Sequence, residues 1–160
     1  MEKIRLQKFI SDAGLMSRRA AEDEIKLGNV SVNGHVATLG TKIDPREDNV
    51  TYKGKKIRCE RKDYTYIMLN KPRGYLSSTA DDRGRKCVTD LIDLDKRIYP
   101  VGRLDLNSQG VIIMTNDGDL TNKLTHPSHG LTKTYVAEIP GSLTAEDAVR
   151  ISEPIEIDGY

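Results

Sequence analysis

The spacing of apolar residues over the first third of the chain predicts two short helices and a small sheet. Leu6, Phe9, Ile10 and Ala13 recur at helical spacing within residues 4–13, and Gly14 follows as a stop. Ser17 is a good N-cap for a second helix over residues 18–27, which Gly28 ends. Val30-Ser31-Val32 alternates as a strand does, and Asn33-Gly34 is the strongest short hairpin signal. Short strands are expected at residues 37–39 and 50–52, with a further turn at Lys53-Gly54.

The pattern breaks at the polar stretch Cys59-Glu60-Arg61-Lys62-Asp63 and then restarts. Residues 64–69 read as a strand, 70–74 as a loop and 75–79 as a returning strand. Residues 80–86 are charged and exposed, and 88–94 suit a short helix behind Cys87. Residues 98–101 and 111–115 are apolar strands, and 120–125 a helix limited by Pro127. Residues 132–139 are β-rich. Residues 144–151 have helical spacing behind a Thr144 cap, with Asp147 three residues on. The fold class that follows is α+β: a two-helix unit with short strands over residues 1–58, a linker at 59–63, and a mixed, mainly antiparallel sheet with flanking helices over 64–160.

At 160 residues, 37% hydrophobic and 31% charged, the chain has room for one ordinary domain, or a small and a partial one. It contains no apolar run long enough to span a membrane. Two cysteines, Cys59 and Cys87, make no disulfide framework, so a reducing cytoplasm is the expected location. The net charge of +1 conceals an asymmetry: residues 1–58 carry 12 Lys and Arg against 8 Asp and Glu, and residues 59–160 carry 13 against 16. A small basic unit therefore precedes a mildly acidic one, which is compatible with a polyanion partner.

Candidate chemistry concentrates in Gly102-Arg103-Leu104-Asp105-Leu106-Asn107-Ser108-Gln109-Gly110, a polar loop between two apolar strands. Strands hold such a loop rigidly, which suits a reacting group. Arg103 is expected to favour the ionised form of Asp105, as a nucleophile or base requires; the alternative is an aspartate that satisfies a turn. In the first unit, Arg18 and Arg19 occupy the first turn of the second helix, the end where the helix dipole already carries positive charge. Two guanidiniums there suit a phosphate-binding surface, which Lys8 and Lys42 extend. The alternative is a solvated face in which Glu22, Asp23 and Glu24 pair with the arginines. His126 and His129 on a turn read as surface residues rather than a metal site, no Cys-x-x-Cys pair exists, and no glycine-rich phosphate loop follows a strand. No cofactor and no metal are expected.

Arg5-Leu6-Gln7-Lys8-Phe9-Ile10, Ser17-Arg18-Arg19-Ala20-Ala21 and Gly28-Asn29-Val30-Ser31-Val32-Asn33-Gly34 resemble the S4-like RNA-binding domain, first seen in the fourth small-subunit ribosomal protein. The resemblance covers residues 2–58 and implies an RNA partner. Leu69-Asn70-Lys71-Pro72-Arg73-Gly74, Gly102-Arg103-Leu104-Asp105, Gly110-Val111-Ile112-Ile113-Met114-Thr115 and Lys133-Thr134-Tyr135, in that order, resemble the RsuA class of ribosomal RNA pseudouridine synthases. The resemblance implies that Asp105 is the catalytic aspartate. It implies that Tyr135 packs against the target base, and that Arg103 holds the flipped-out nucleotide or its phosphate. Asn70, Lys71 and Pro72 match the motif that supports the active-site loop.

The function implied is isomerisation of a uridine in ribosomal RNA, with no cofactor. Relatives continue beyond the equivalent of Tyr160 into an Arg-rich segment, so a chain ending there is expected to be incomplete, catalytically silent and prone to self-association. A non-catalytic RNA-binding protein, or a ribosome-associated factor using residues 1–58 alone, is the alternative.

Overall fold

A computed structural model describes residues 3–58 and 63–154. The chain divides into two units, residues 1–130 and 131–160. Among the described residues no helix is long and apolar enough to cross a membrane.

The first unit begins with β1 (Ile4–Arg5), α1 (Leu6–Asp12) and α2 (Arg18–Lys26). The expected first helix starts two residues late, because Ile4 and Arg5 pair with Ile43 and Lys42 instead. Ser17 caps α2 as expected, its hydroxyl accepting from the Ala20 amide at 3.1 Å. The chain continues through β2 (Val30–Val32), β3 (His35–Val36), β4 (Lys42–Ile43), β5 (Val50–Tyr52) and β6 (Lys55–Lys56). These form an antiparallel sheet in the order β3-β2-β5-β6, with β1 and β4 as a separate pair. Asn33 and Gly34 take φ of 52° and 84° at the β2–β3 turn, the left-handed conformations that a tight hairpin needs. The strand expected at residues 37–39 lies earlier, at β3. Ala37 adds one more bond to Val30, and Thr41 then closes a turn on Thr38. Leu6, Phe9 and Ile10 of α1, Ala21 and Ile25 of α2, and Val30, Ile43 and Val50 of the strands share one buried core.

The same unit then carries β7 (Tyr66–Lys71), β8 (Tyr99–Val101), β9 (Gly110–Thr115) and α3 (Gly118–Thr125). All three strands are antiparallel, with β9 in the centre and β7 and β8 at its sides. Ile67 and Leu69 face Met114 and Ile112 across the β7–β9 ladder, and this face packs on Val88 and Ile98. Asn70 and Lys71 were expected in a loop but end β7, paired with Val111 and Gly110. Residues 75–79 form no strand beyond a single parallel bridge from Leu76 to Cys87. The expected helix after Cys87 is a 3-10 turn, Val88–Leu91. Asp117 caps α3 by accepting from the amides of Asp119 and Leu120.

In the second unit, α4 (Ala145–Ser152) starts at a capping box formed by Thr144 and Asp147, as its sequence predicts. The strand expected over residues 132–139 is absent. Tyr135 is 84% exposed and Val136 90%, and no ladder partner stands beside them among the described residues. β-branched composition without a neighbouring strand leaves the backbone hydrogen-bonding to solvent.

Candidate active site

The loop from Gly102 to Gln109 joins β8 to the central strand β9, so both of its ends are anchored in one sheet. Gly102 enters it at φ 77°, a left-handed turn that a side chain would strain. Leu104 turns inward onto the Val88–Ile112 core. Arg103 and Asp105, one residue to either side, are exposed. A turn follows, closed by the Ser108 amide on the Asp105 carbonyl at 3.0 Å.

Lys71 holds this loop from beneath. It stands at the end of β7 with no solvent exposure. Its Nζ donates to the carbonyl oxygens of Ser108 at 2.7 Å, Asp105 at 2.8 Å, Pro72 at 3.2 Å and Leu106 at 3.4 Å. A buried ammonium is costly unless its protons are matched, and here carbonyl dipoles match them. Its apolar stem ends the inner face of β7. Pro72 contributes an acceptor to Lys71, and Asn70 continues the ladder opposite Val111.

A second clamp comes from Ser77, which the sequence did not single out. Its hydroxyl donates to the Leu104 carbonyl at 2.7 Å and accepts from the Leu104 amide at 3.0 Å. The Gly74 amide adds a bond to the Leu106 carbonyl at 2.7 Å. The backbone on either side of Asp105 is thus fixed by three residues of one neighbouring stretch, Lys71, Gly74 and Ser77, while its carboxylate faces outward. Among the described residues neither the Asp105 carboxylate nor the Arg103 guanidinium has a hydrogen-bond or ion-pair partner. The charge pairing expected between these two is therefore not formed. With Leu104 drawn in between them, both side chains stand out toward solvent.

Tyr135 lies in the second unit, exposed and outside regular structure. Arg18 and Arg19 are exposed on the first turn of α2. The three acids that might have paired with them are occupied elsewhere. Glu22 accepts from Gln7 at 2.8 Å, Asp23 meets Lys26 at 3.0 Å, and Glu24 accepts from Asn29 at 2.7 Å and meets Lys53 at 3.4 Å. Among the described residues no carboxylate pairs with Arg18 or Arg19. Lys42 is exposed on β4. Lys8 differs from these three: it is half-buried and turned onto Asp12 and Asp119.

The sequence pattern of the RNA pseudouridylate synthase family matches residues 65–159, and that of the S4 domain matches residues 4–50. An uncharacterized RNA pseudouridine synthase of Mycobacterium bovis is 45% identical over 160 residues, covering 97% of this chain and 63% of that protein. The ribosomal large subunit pseudouridine synthase B of Bacillus subtilis is 49% identical over 139 residues, covering 86% of this chain and 56% of that protein. The dual-specificity RNA pseudouridine synthase RluF of Escherichia coli is 40% identical over 157 residues, covering 98% and 53%. The chain thus spans 53–63% of the length of these relatives. Asp105 and the residues that fix its loop fall within the first of the two matched patterns, and by that match the chain belongs to the RNA pseudouridylate synthase family.

Proposed function

We propose that the protein converts a uridine of ribosomal RNA to pseudouridine, with Asp105 as the reacting group. One observation carries the reading beyond family membership: a loop held through its backbone by Lys71 and Ser77 presents to solvent a carboxylate that has no partner among the described residues. The reaction breaks the bond from C1′ to N1, turns the uracil and joins C1′ to C5. The C5 proton leaves to solvent and N1 takes one up. No electron changes hands and no group is carried away, so one ionised carboxylate suffices, acting on C1′ as nucleophile or on a ribose proton as base. The target base must first leave its stack, at a cost of a few kcal/mol. Arg103, exposed beside Asp105, is suited to the flipped nucleotide or its phosphate, and Tyr135 to stacking on the base. Asn70, Lys71 and Pro72 serve by holding the loop.

The first 58 residues supply RNA affinity through Arg18, Arg19 and Lys42. The expected substrate is large-subunit ribosomal RNA in the cytoplasm, in line with the name of the Bacillus subtilis relative. The test is release of tritium from C5 of labelled uridine in large- and small-subunit RNA by the complete protein and by its Asp105→Asn variant. Release abolished by the substitution supports the reading. An equal rate from the variant removes Asp105 from the chemistry, and RNA binding without release by the unaltered protein leaves a non-catalytic RNA-binding role.

A further inference from the structure

Lys8 belongs to α1, within the S4-matched residues, and Asp119 to α3, within the synthase-matched residues. Their charged atoms are 3.1 Å apart, and the same ammonium is 3.0 Å from Asp12, one turn along α1. Among the described residues this is the ion pair that joins residues 3–58 to residues 63–130. The two parts have separate apolar cores. Between them runs a groove of about 490 Å³ whose lining includes Lys8, Arg18, Tyr99, Asp119 and Thr125. Across this groove the Lys8–Asp119 pair is a direct polar contact between the two parts.

The element that Lys8 reaches adjoins both ends of the proposed function. At the start of α3, a Cβ on Gly118 would stand 3.8 Å from the Arg18 guanidinium. At its end, the Thr125 methyl lies 3.9 Å from where a Cβ would stand on Gly102, the residue that opens the Asp105 loop. An orientation fixed at α3 is thus one fixed between Arg18 and Asp105.

We propose that Lys8 is a positioning residue: by bridging Asp12 and Asp119 it sets the α1–α2 pair against α3, so that RNA held at Arg18 and Arg19 is delivered in register to Asp105. This rests on the synthase reading above. An RNA gripped at two surfaces gains from the second grip in proportion to how well the two are held in register. Loosening the bridge lowers apparent affinity by the fraction of molecules left in the competent arrangement, and leaves the chemical step intact. An ammonium already facing two carboxylates contributes little to phosphate binding.

Four variants of the complete protein test this: Lys8→Met, Lys8→Glu, Asp119→Lys and the double exchange of Lys8→Glu with Asp119→Lys. KM, kcat and the salt dependence of RNA binding are measured for each, with thermal melting as a control for folding. We expect Lys8→Met to raise KM about two- to fivefold, the order set by a partly exposed ion pair, with kcat within about twofold. The salt slope should be unchanged. Lys8→Glu should do more harm, and the exchange should recover most of the loss, because a lysine at 119 again lies between two acids. A salt slope reduced by about 0.7–0.9 in Lys8→Met, with no recovery in the exchange, would mean that Lys8 touches phosphate and would overturn the proposal. Unchanged KM in all four would overturn it too. Asp105→Asn assayed alongside separates this failure from failure of the synthase reading.

Discussion

The Nζ of Lys71 lies 2.8 Å from the backbone carbonyl oxygen of Asp105. A buried lysine therefore holds the residue proposed to react, yet holds it by the main chain. The carboxylate is left without a partner among the described residues and is open to substrate. Direct pairing of the lysine with the carboxylate would fix the same residue and consume the charge that the reaction needs.

Lys71→Met should make this division visible. Methionine fills the volume of the stem but leaves the carbonyls of Asp105 and Ser108 without their donor. We expect a loss of roughly 2–4 kcal/mol in urea unfolding, the scale for removing charged hydrogen bonds from a buried site. In the assay kcat should fall far more than RNA affinity, because the loop loses its shape while α1 and α2, the proposed RNA-binding helices, do not. Unfolding unchanged within error would show that the carbonyls find water instead.

Asp105→Asn should remove turnover altogether. The amide keeps the shape and loses the negative charge that attack on C1′ and removal of a ribose proton both need. The dissociation constant for RNA should stay within about threefold, since the loop backbone is held by Lys71 and Ser77 whatever the side chain. Filter binding beside the tritium assay checks both halves.

Ser77→Ala removes two hydrogen bonds to Leu104. About 1–2 kcal/mol of stability should go with them. The Asp105 loop should exchange its amide protons faster than the rest of the sheet. Uniform exchange across β9 and the loop would mean that Lys71 alone is enough to hold it.

Replacing Arg18 and Arg19 by alanine should flatten the salt dependence of RNA binding by roughly 0.7–0.9 log units per lost contact. The melting temperature should hold or rise slightly, since both cations oppose the helix dipole and, among the described residues, neither is paired with an acid. An unchanged slope would leave the two arginines as ordinary surface.

Cys87 is 3% exposed, and burial, with the carboxylates of Asp90 and Asp81 nearby, pushes its thiol up. Little thiolate is present at neutral pH, and it has poor access to reagent. In a Cys59→Ser background, labelling by a thiol reagent should proceed no faster than unfolding and become immediate in denaturant. Rapid labelling of the native protein would contradict the packing around Val88.

Local chemistry made much of this protein legible without coordinates. Ser17 and Thr144 announce helices because a hydroxyl at that position satisfies amides the helix leaves free, and Asn33-Gly34 announces a hairpin because both residues tolerate positive φ. The Asp105 loop stood out because glycines and apolar strands bracket it. Such signals act within a few residues and survive in any context.

Tertiary structure decided the rest. Lys71 in a polar Asn-Lys-Pro-Arg-Gly stretch looked like part of a turn, but pairing with β9 made it the inward end of a strand, beneath carbonyls more than thirty residues away. Ser77 carried no signal, because its partner is a backbone amide and carbonyl that any sequence provides. Lys8 looked like one more basic residue, and Glu22, Asp23 and Glu24 like partners for Arg18 and Arg19. Contacts with Gln7, Lys26, Asn29, Lys53 and Asp119 reassigned all of them. The sequence shows which charges a segment carries; the fold determines which of them are neutralised, since opposite charges and matched dipoles find each other in space rather than along the chain.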